Sequence, residues 1–150
     1  MKIWVLLSYM FIFTSLFGQI KIADVGDGWK GKVEQALDTI KKYDIQKYYL
    51  IMEHCSNVAY WNGGFSTTEG DSTITIPARE MNNGNIYNIS AILIHETIHL
   101  YFKGTKFNLR PNTEEVIAYQ HELEFLQKIS GVDPWLIENA KNKIKFYSKL

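Results

Sequence analysis

Residues 95–99 of the chain read His-Glu-Thr-Ile-His. Two imidazoles four residues apart lie one turn above each other on a helix, so His95 and His99 can offer two ring nitrogens to one zinc ion. Glu96 is rotated about 100° from His95, as follows from 3.6 residues per turn. From there its carboxylate reaches a water held by the ion without ligating the ion itself. The chemistry of this spacing is the activation of water. The surroundings argue against a chance match: from Ile92 to Ile98 the only ionisable side chains are His95 and Glu96, in an apolar stretch without proline. Burying two histidines and a glutamate on such a helix with no metal would strand polar groups at a cost of several kcal/mol.

The helix carrying these residues is expected from about Ile89 to Lys103, closed by Gly104. Ahead of it, Trp29, Val33, Ala36, Leu37 and Ile40 make one apolar face, which predicts a first helix from about 29 to 43. Tyr48 to His54 and Asn57 to Trp61 are rich in aromatic and branched residues and read as strands, followed by the turn signal Asn62-Gly63-Gly64. Ser72 to Ile76 alternates Thr73 and Thr75 against Ile74 and Ile76, the pattern of a half-buried strand with one wet face, stopping at Pro77. Met81 to Asn85 reads as a loop, and everything beyond it as helical. Asp133-Pro134 caps a closing helix that runs to about Tyr147. Its apolar face is Ile137, Ala140, Ile144 and Tyr147, and Lys141, Lys143, Lys145 and Lys149 read as a solvated face. The fold class is α+β, with a small, mostly antiparallel or mixed sheet packed on helices.

A length of 150 residues corresponds to one domain. Sixteen basic against sixteen acidic residues give no net charge, so no overall field holds nucleic acid. An apolar fraction of 46% with 14% aromatics excludes disorder as the main state. Lys2 is followed by an almost unbroken apolar run from Ile3 to Phe17, shorter than the roughly 20 residues of a membrane-spanning helix. Residues 1–18 therefore read as a signal peptide ahead of a domain at 19–150. The expected location is secreted or periplasmic, with no stable membrane insertion after cleavage. Cys55 is the single cysteine, so no internal disulfide can form and the core must supply the stability. It reads as a small buried apolar residue.

The His95–His99 helix, with the sheet ahead of it, resembles the zincin metallopeptidases. The branch with a third histidine needs glycine and histidine three and six residues after the second ligand, where this chain has Phe102 and Thr105. The branch with a glutamate on the next helix is the better match, so the chain looks like a gluzincin. That likeness implies a zincin-like fold in which a glutamate-bearing helix follows the metal helix. The glutamate falls within Thr113-Glu114-Glu115-Val116-Ile117-Ala118-Tyr119. Glu115 heads a Glu-x-x-Ala-Tyr pattern similar to the glutamate helix of several small zincin families, and the small Ala118 lets two helices approach closely. Capping offers another use for both acids: Asn112 as N-cap with Glu115 in a capping box, and Glu114 favouring the helix dipole. Capping would leave the ion two protein ligands where a catalytic zinc normally has three plus water. Glu115 is therefore the first candidate, Glu114 the second, and His121, Glu122 and His54 the remaining donors.

The activity implied is zinc-dependent hydrolysis of a peptide or protein substrate, with His95, His99 and Glu115 on the metal and Glu96 as general base, then acid. Tyr119, His121 and Tyr101 are candidates for a second oxyanion donor. In the families resembled, an edge strand holds the substrate by strand addition, and Ser72 to Ile76 is the candidate. Three alternatives stand beside this reading. One is a non-catalytic zincin-fold binding module with structural zinc. Another is a secreted effector acting on one partner protein. The last is a peptide-deformylase-like amidase with Cys55 as ligand, 40 residues ahead of His95. The sequence around that cysteine, Glu53-His54-Cys55-Ser56, is not the deformylase context.

Overall fold

The computed structural model describes residues 19–26, 28–82, 85–105 and 107–150. The expected signal peptide at 1–18 lies outside the described residues, as does Asn83-Gly84 of the expected loop. Among the described residues the fold is α+β, six helices around a four-stranded mixed sheet. The elements run β1 (Lys21–Ile22), α1 (Trp29–Tyr43), α2 (Ile45–His54), β2 (Asn57–Trp61), β3 (Thr67–Glu69), β4 (Thr73–Pro77), α3 (Ala78–Asn82), α4 (Ile86–Gly104), α5 (Pro111–Gln127) and α6 (Pro134–Tyr147). No helix among the described residues is long and apolar enough to cross a membrane.

α1 buries the expected stripe of Trp29, Val33, Ala36 and Ile40. α2 corrects the strand expected at Tyr48 to His54. Asp44 caps this segment, its Oδ1 accepting from the Lys47 backbone N–H at 3.3 Å, and Lys47 and Ile51 are buried one turn apart. Cap and tertiary packing override the strand preference of the aromatic and branched residues. Buried Asp44 and Lys47 anchor a polar cluster that reaches the surface. Asp44 accepts from Lys128 Nζ at 2.7 Å, while Lys47 Nζ stands 3.0 Å from Glu124 Oε2 and 3.1 Å from His121 Nδ1.

The strand order is β1-β2-β4-β3, with β2 parallel to β1 and β4, and β3 antiparallel to β4. Ser72 to Ile76 is thus not an edge: β4 lies between β2 and β3. The expected wet face is also corrected, because Thr75 is buried and its hydroxyl donates to the Thr67 carbonyl at 3.0 Å. Period-two alternation marks two faces but does not say which strands flank them. Directly after Pro77 the chain enters α3, so part of the expected loop from Met81 is helix and Met81 itself is core.

α4 starts three residues earlier than expected, because Asn85 Oδ1 accepts from the backbone N–H groups of Tyr87 and Asn88, satisfying otherwise orphaned donors. It is the central element, packed on α1, α2, the sheet and α5. Ile89, Leu93, Ile94, Ile98 and Leu100 are buried over about half of its circumference, as follows from 3.6 residues per turn, and the side that carries Ile92, His95 and His99 faces a cleft. Ser90, fully buried, donates to the Ala36 carbonyl of α1 at 3.2 Å, which ties α4 to α1. α6 opens as expected, with Asp133 Oδ1 accepting from the Trp135 N–H at 3.0 Å. Its deepest contacts are Leu136 and Ala140.

Candidate metal centre

α4 and α5 run antiparallel, and the four-residue period of one faces that of the other. His95 meets Glu115 and Glu122, whereas His99, one turn on, meets Glu114 and Glu115. Ala118, fully buried where the helices meet, leaves the room that this approach needs. The Nε2 atoms of His95 and His99 stand 3.2 Å apart. Glu115 faces both, with Oε2 3.5 Å from His95 Nε2 and Oε1 3.5 Å from His99 Nε2. His95, His99 and Glu115 are the group of metal-ligating side chains that converges among the described residues.

The outer ring nitrogens face the other two acids. Glu114 Oε1 is 2.7 Å from His99 Nδ1, and Glu122 Oε2 is 3.5 Å from His95 Nδ1. The Glu114 hydrogen bond favours the His99 tautomer with the proton on Nδ1 and the Nε2 lone pair directed inward, whereas Glu122 lies near His95 Nδ1 without hydrogen-bonding it. Glu114 and Glu122, weighed as ligands on sequence grounds, are thus brought to the backs of the rings. The capping box at Asn112, the rival use of Glu115, is absent. α5 starts at Pro111, its N-cap Arg110 makes no side-chain cap, and Glu115 is left to face the histidines.

The donor set fits zinc. With bonds of about 2.0–2.1 Å to nitrogen and oxygen in a tetrahedron, neighbouring ligand atoms are separated by about 3.3–3.4 Å. The Nε2–Nε2 separation of 3.2 Å lies close to that value, Glu115 presents a different oxygen to each ring at 3.5 Å, and one ligand atom from each of the three residues lies within 4.8 Å of the others. Apart from the ion, the arrangement is electrostatically awkward: His95 Nδ1 is buried without a hydrogen-bond partner. Burial opposes protonation of this ring, but Glu115 and Glu122 outweigh it and, with the charge of Glu96, push the pKa up to about 9. The same contact with His95 holds Glu115 below the usual carboxylate range.

Glu96, buried beside the two histidines, points into the cleft that contains them. Burial raises its pKa, with the positive charge of His95 and His99 and a hydrogen bond to Ser66 acting in the opposite direction. A carboxylate made more basic by desolvation is suited to taking a proton and returning it. Of the expected oxyanion donors, only Tyr119 is brought to the site. Its ring centroid is 4.4 Å from that of His95, and burial raises its phenol pKa. Tyr147, which sequence reasoning passed over as packing, stacks on Tyr119 at 5.9 Å and 17° and also lines the cleft.

Several expected candidates lie elsewhere. His121 belongs to the Lys47 cluster, and His54 packs edge-on against Tyr101 with centroids 5.3 Å apart. Neither histidine lines the cleft, nor does Tyr101. Cys55 is a core residue whose thiol donates to the Asn57 carbonyl at 3.2 Å, and burial pushes its pKa up to about 11. It is not part of the group of ligating side chains that converges on His95 and His99.

The cleft is open and has a volume of about 710 Å³. α4 and α5 form its floor, β3 and the loop before it one wall, and α6 another, through Trp135, Asn139, Lys143 and Tyr147, each one turn apart. Lys143 therefore faces the site, and its charge favours ionised Glu115, which corrects its assignment to a wholly solvated face. The expected role of Ser72 to Ile76 as the substrate edge is corrected too. Thr67 and Thr68 of β3, the true edge, line the cleft. Comparison with protein-family models and with curated proteins finds no match for this chain.

Proposed function

We propose that the chain is a zinc-dependent metallopeptidase that acts after export, the gluzincin-like reading of its sequence. The observation that carries this reading is the convergence of both Nε2 atoms and the Glu115 carboxylate at zinc-ligand spacing, with the buried Glu96 beside them. His95, His99 and Glu115 would hold the ion. A bound zinc ion supplies Lewis-acid chemistry, acidifying a water to near pH 7 and polarising a carbonyl.

Glu96 takes the proton of the attacking water and later delivers it to the leaving amine, a transfer its desolvated position favours. Tyr119 and Tyr147 border the same space, and in this reading their hydroxyls donate toward a developing oxyanion. Among the described residues no strand pairs with the outer edge of β3, and an extended backbone added there would align the scissile bond along the floor.

Glu96→Gln is the test. The variant is expected to bind one zinc per chain with unchanged affinity and to lose hydrolysis of a denatured protein substrate by at least about a hundredfold, the lower end of general-base effects. Equal hydrolysis by Glu96→Gln and the wild type defeats the assignment. Zinc bound with four protein ligands and no substrate turnover would favour the structural-zinc binding module instead. Export is checked by N-terminal sequencing of protein recovered from the medium or periplasm.

A further inference from the structure

Two of the most exposed aromatic side chains among the described residues, Phe65 at 67% and Trp135 at 63%, border the metal cleft. Apolar and aromatic side chains that line a concave site are the usual source of ligand contact. Both are presented by ordered local structure. Trp61 folds back over Gly63, and a Cβ added there would sit 1.6 Å from the indole. The Trp61 indole N–H donates to the Phe65 carbonyl at 2.9 Å, and the two rings meet edge-on at 6.2 Å. The loop 61–65 is thereby pinned with the Phe65 ring outward. Across the floor, Trp135 is set by Pro134 and by the Asp133 cap at the start of α6. Ile92, one turn before His95, lines the floor and adds apolar surface.

Charge selects the kind of side chain that fits between them. The five glutamates lining the cleft are matched by Arg79, Lys103, Lys143 and the two charges of a divalent ion, so no net field draws in a charged group. We propose that Phe65 and Trp135 grip a large apolar side chain of an extended polypeptide, making apolar-rich peptide segments the substrate class. This inference rests on the peptidase reading only for the fate of the bound chain. Phe65 and Trp135 are specificity-determining residues, and the β3 edge beside Phe65 holds the backbone of the same segment.

The test uses zinc-loaded Glu96→Gln protein and a fluorescently labelled peptide with one central phenylalanine, together with its alanine and aspartate analogues. The phenylalanine peptide is expected to bind about tenfold more tightly than either analogue, an effect of the size usual for one apolar side chain in a pocket. Phe65→Ala and Trp135→Ala should each erase that preference, and Phe65→Leu and Trp135→Phe should keep most of it. Gly63→Ala, which displaces the Trp61 indole, should act like Phe65→Ala. Thermal unfolding and zinc stoichiometry verify that the variants fold. A preference that survives in both alanine variants, or the absence of one in the parent, overturns the proposal. Peptide selection by these residues without cleavage by the wild type would sink the peptidase reading and leave this inference standing. Cleavage with unaltered selectivity in both alanine variants does the reverse.

Discussion

Replacing Glu114 and Glu115 in turn should separate the acid that orients a ligand from the acid that is one. Glu114 holds His99 Nδ1 at 2.7 Å, a length typical of a charge-assisted hydrogen bond. Such bonds contribute about 1.5–3 kcal/mol, against about 0.5–1.5 kcal/mol for a neutral pair. Glu114→Gln keeps an acceptor oxygen and loses the difference, roughly 1–1.5 kcal/mol, or about 5- to 12-fold in zinc affinity. Glu115→Gln instead exchanges a carboxylate facing both Nε2 atoms for a poor donor, and is expected to cost well over a hundredfold. Competition with a chromophoric chelator measures both losses. Because Glu114 also sits in the first turn of α5, apo-protein unfolding should be followed in parallel, where its dipole interaction is worth about 0.3–1 kcal/mol. Cobalt substitution adds a spectroscopic check: the visible bands should persist in Glu114→Gln and change in Glu115→Gln. If Glu114→Gln loses as much zinc affinity as Glu115→Gln, or alters the cobalt spectrum equally, the assignment of the two acids is wrong.

Glu122→Ala removes the one carboxylate facing the buried His95 Nδ1 and should weaken zinc binding by about 10- to 100-fold, read by the same competition. His121 and Asp44 should each add to the loss of stability of the apo-protein in acid. His121 has a folded pKa lowered by burial and by Lys47, so the stability it contributes is present above its unfolded value near 6.5 and is lost as pH falls below that. Asp44 is buried, which works against ionisation, but Lys128 and Lys47 hold its pKa below 3.8; its contribution is complete above that value and is lost as pH falls further. In urea melts against pH, His121→Gln should flatten the decline below about pH 6.5, and an unchanged profile would contradict the Lys47 arrangement. Asp44→Asn, which removes the charge facing half-exposed Lys128 and leaves Lys47 with Glu124, should cost about 1.5–3 kcal/mol at pH 7 in the same melts, the worth of a hydrogen bond between charged groups. Cys55 should resist a thiol reagent at pH 8 until the chain unfolds, and rapid labelling of native protein would disprove its burial.

Local rules carried the reading furthest where one helix acts by itself. The His95–Glu96–His99 constellation follows from the 3.6-residue period. So does the buried stripe of Trp29, Val33, Ala36 and Ile40, and Asp133-Pro134 marks a helix start through hydrogen-bonding chemistry confined to a few neighbouring residues. The segment Tyr48 to His54 failed because side-chain preference in a short apolar run is weaker than one cap, Asp44, and the burial of Lys47 and Ile51 against distant partners. Ser72 to Ile76 failed differently. Its alternation was read correctly as a strand, but edge or centre depends on β3 arriving from the other side.

The division of labour among Glu114, Glu115 and Glu122 shows the same limit. All three are acids on one helix, and spacing along α5 alone does not say which faces Nε2 and which faces Nδ1. That depends on the antiparallel approach of α4 and α5 at Ala118, a relation between segments that only the folded chain contains. The residues that can carry the chemistry, and the turn that sets two imidazoles together, were written in consecutive positions. The partner acids, the cleft and its aromatic rim come from four separate stretches, because the contacts that join them are long-range and their geometry is decided by packing.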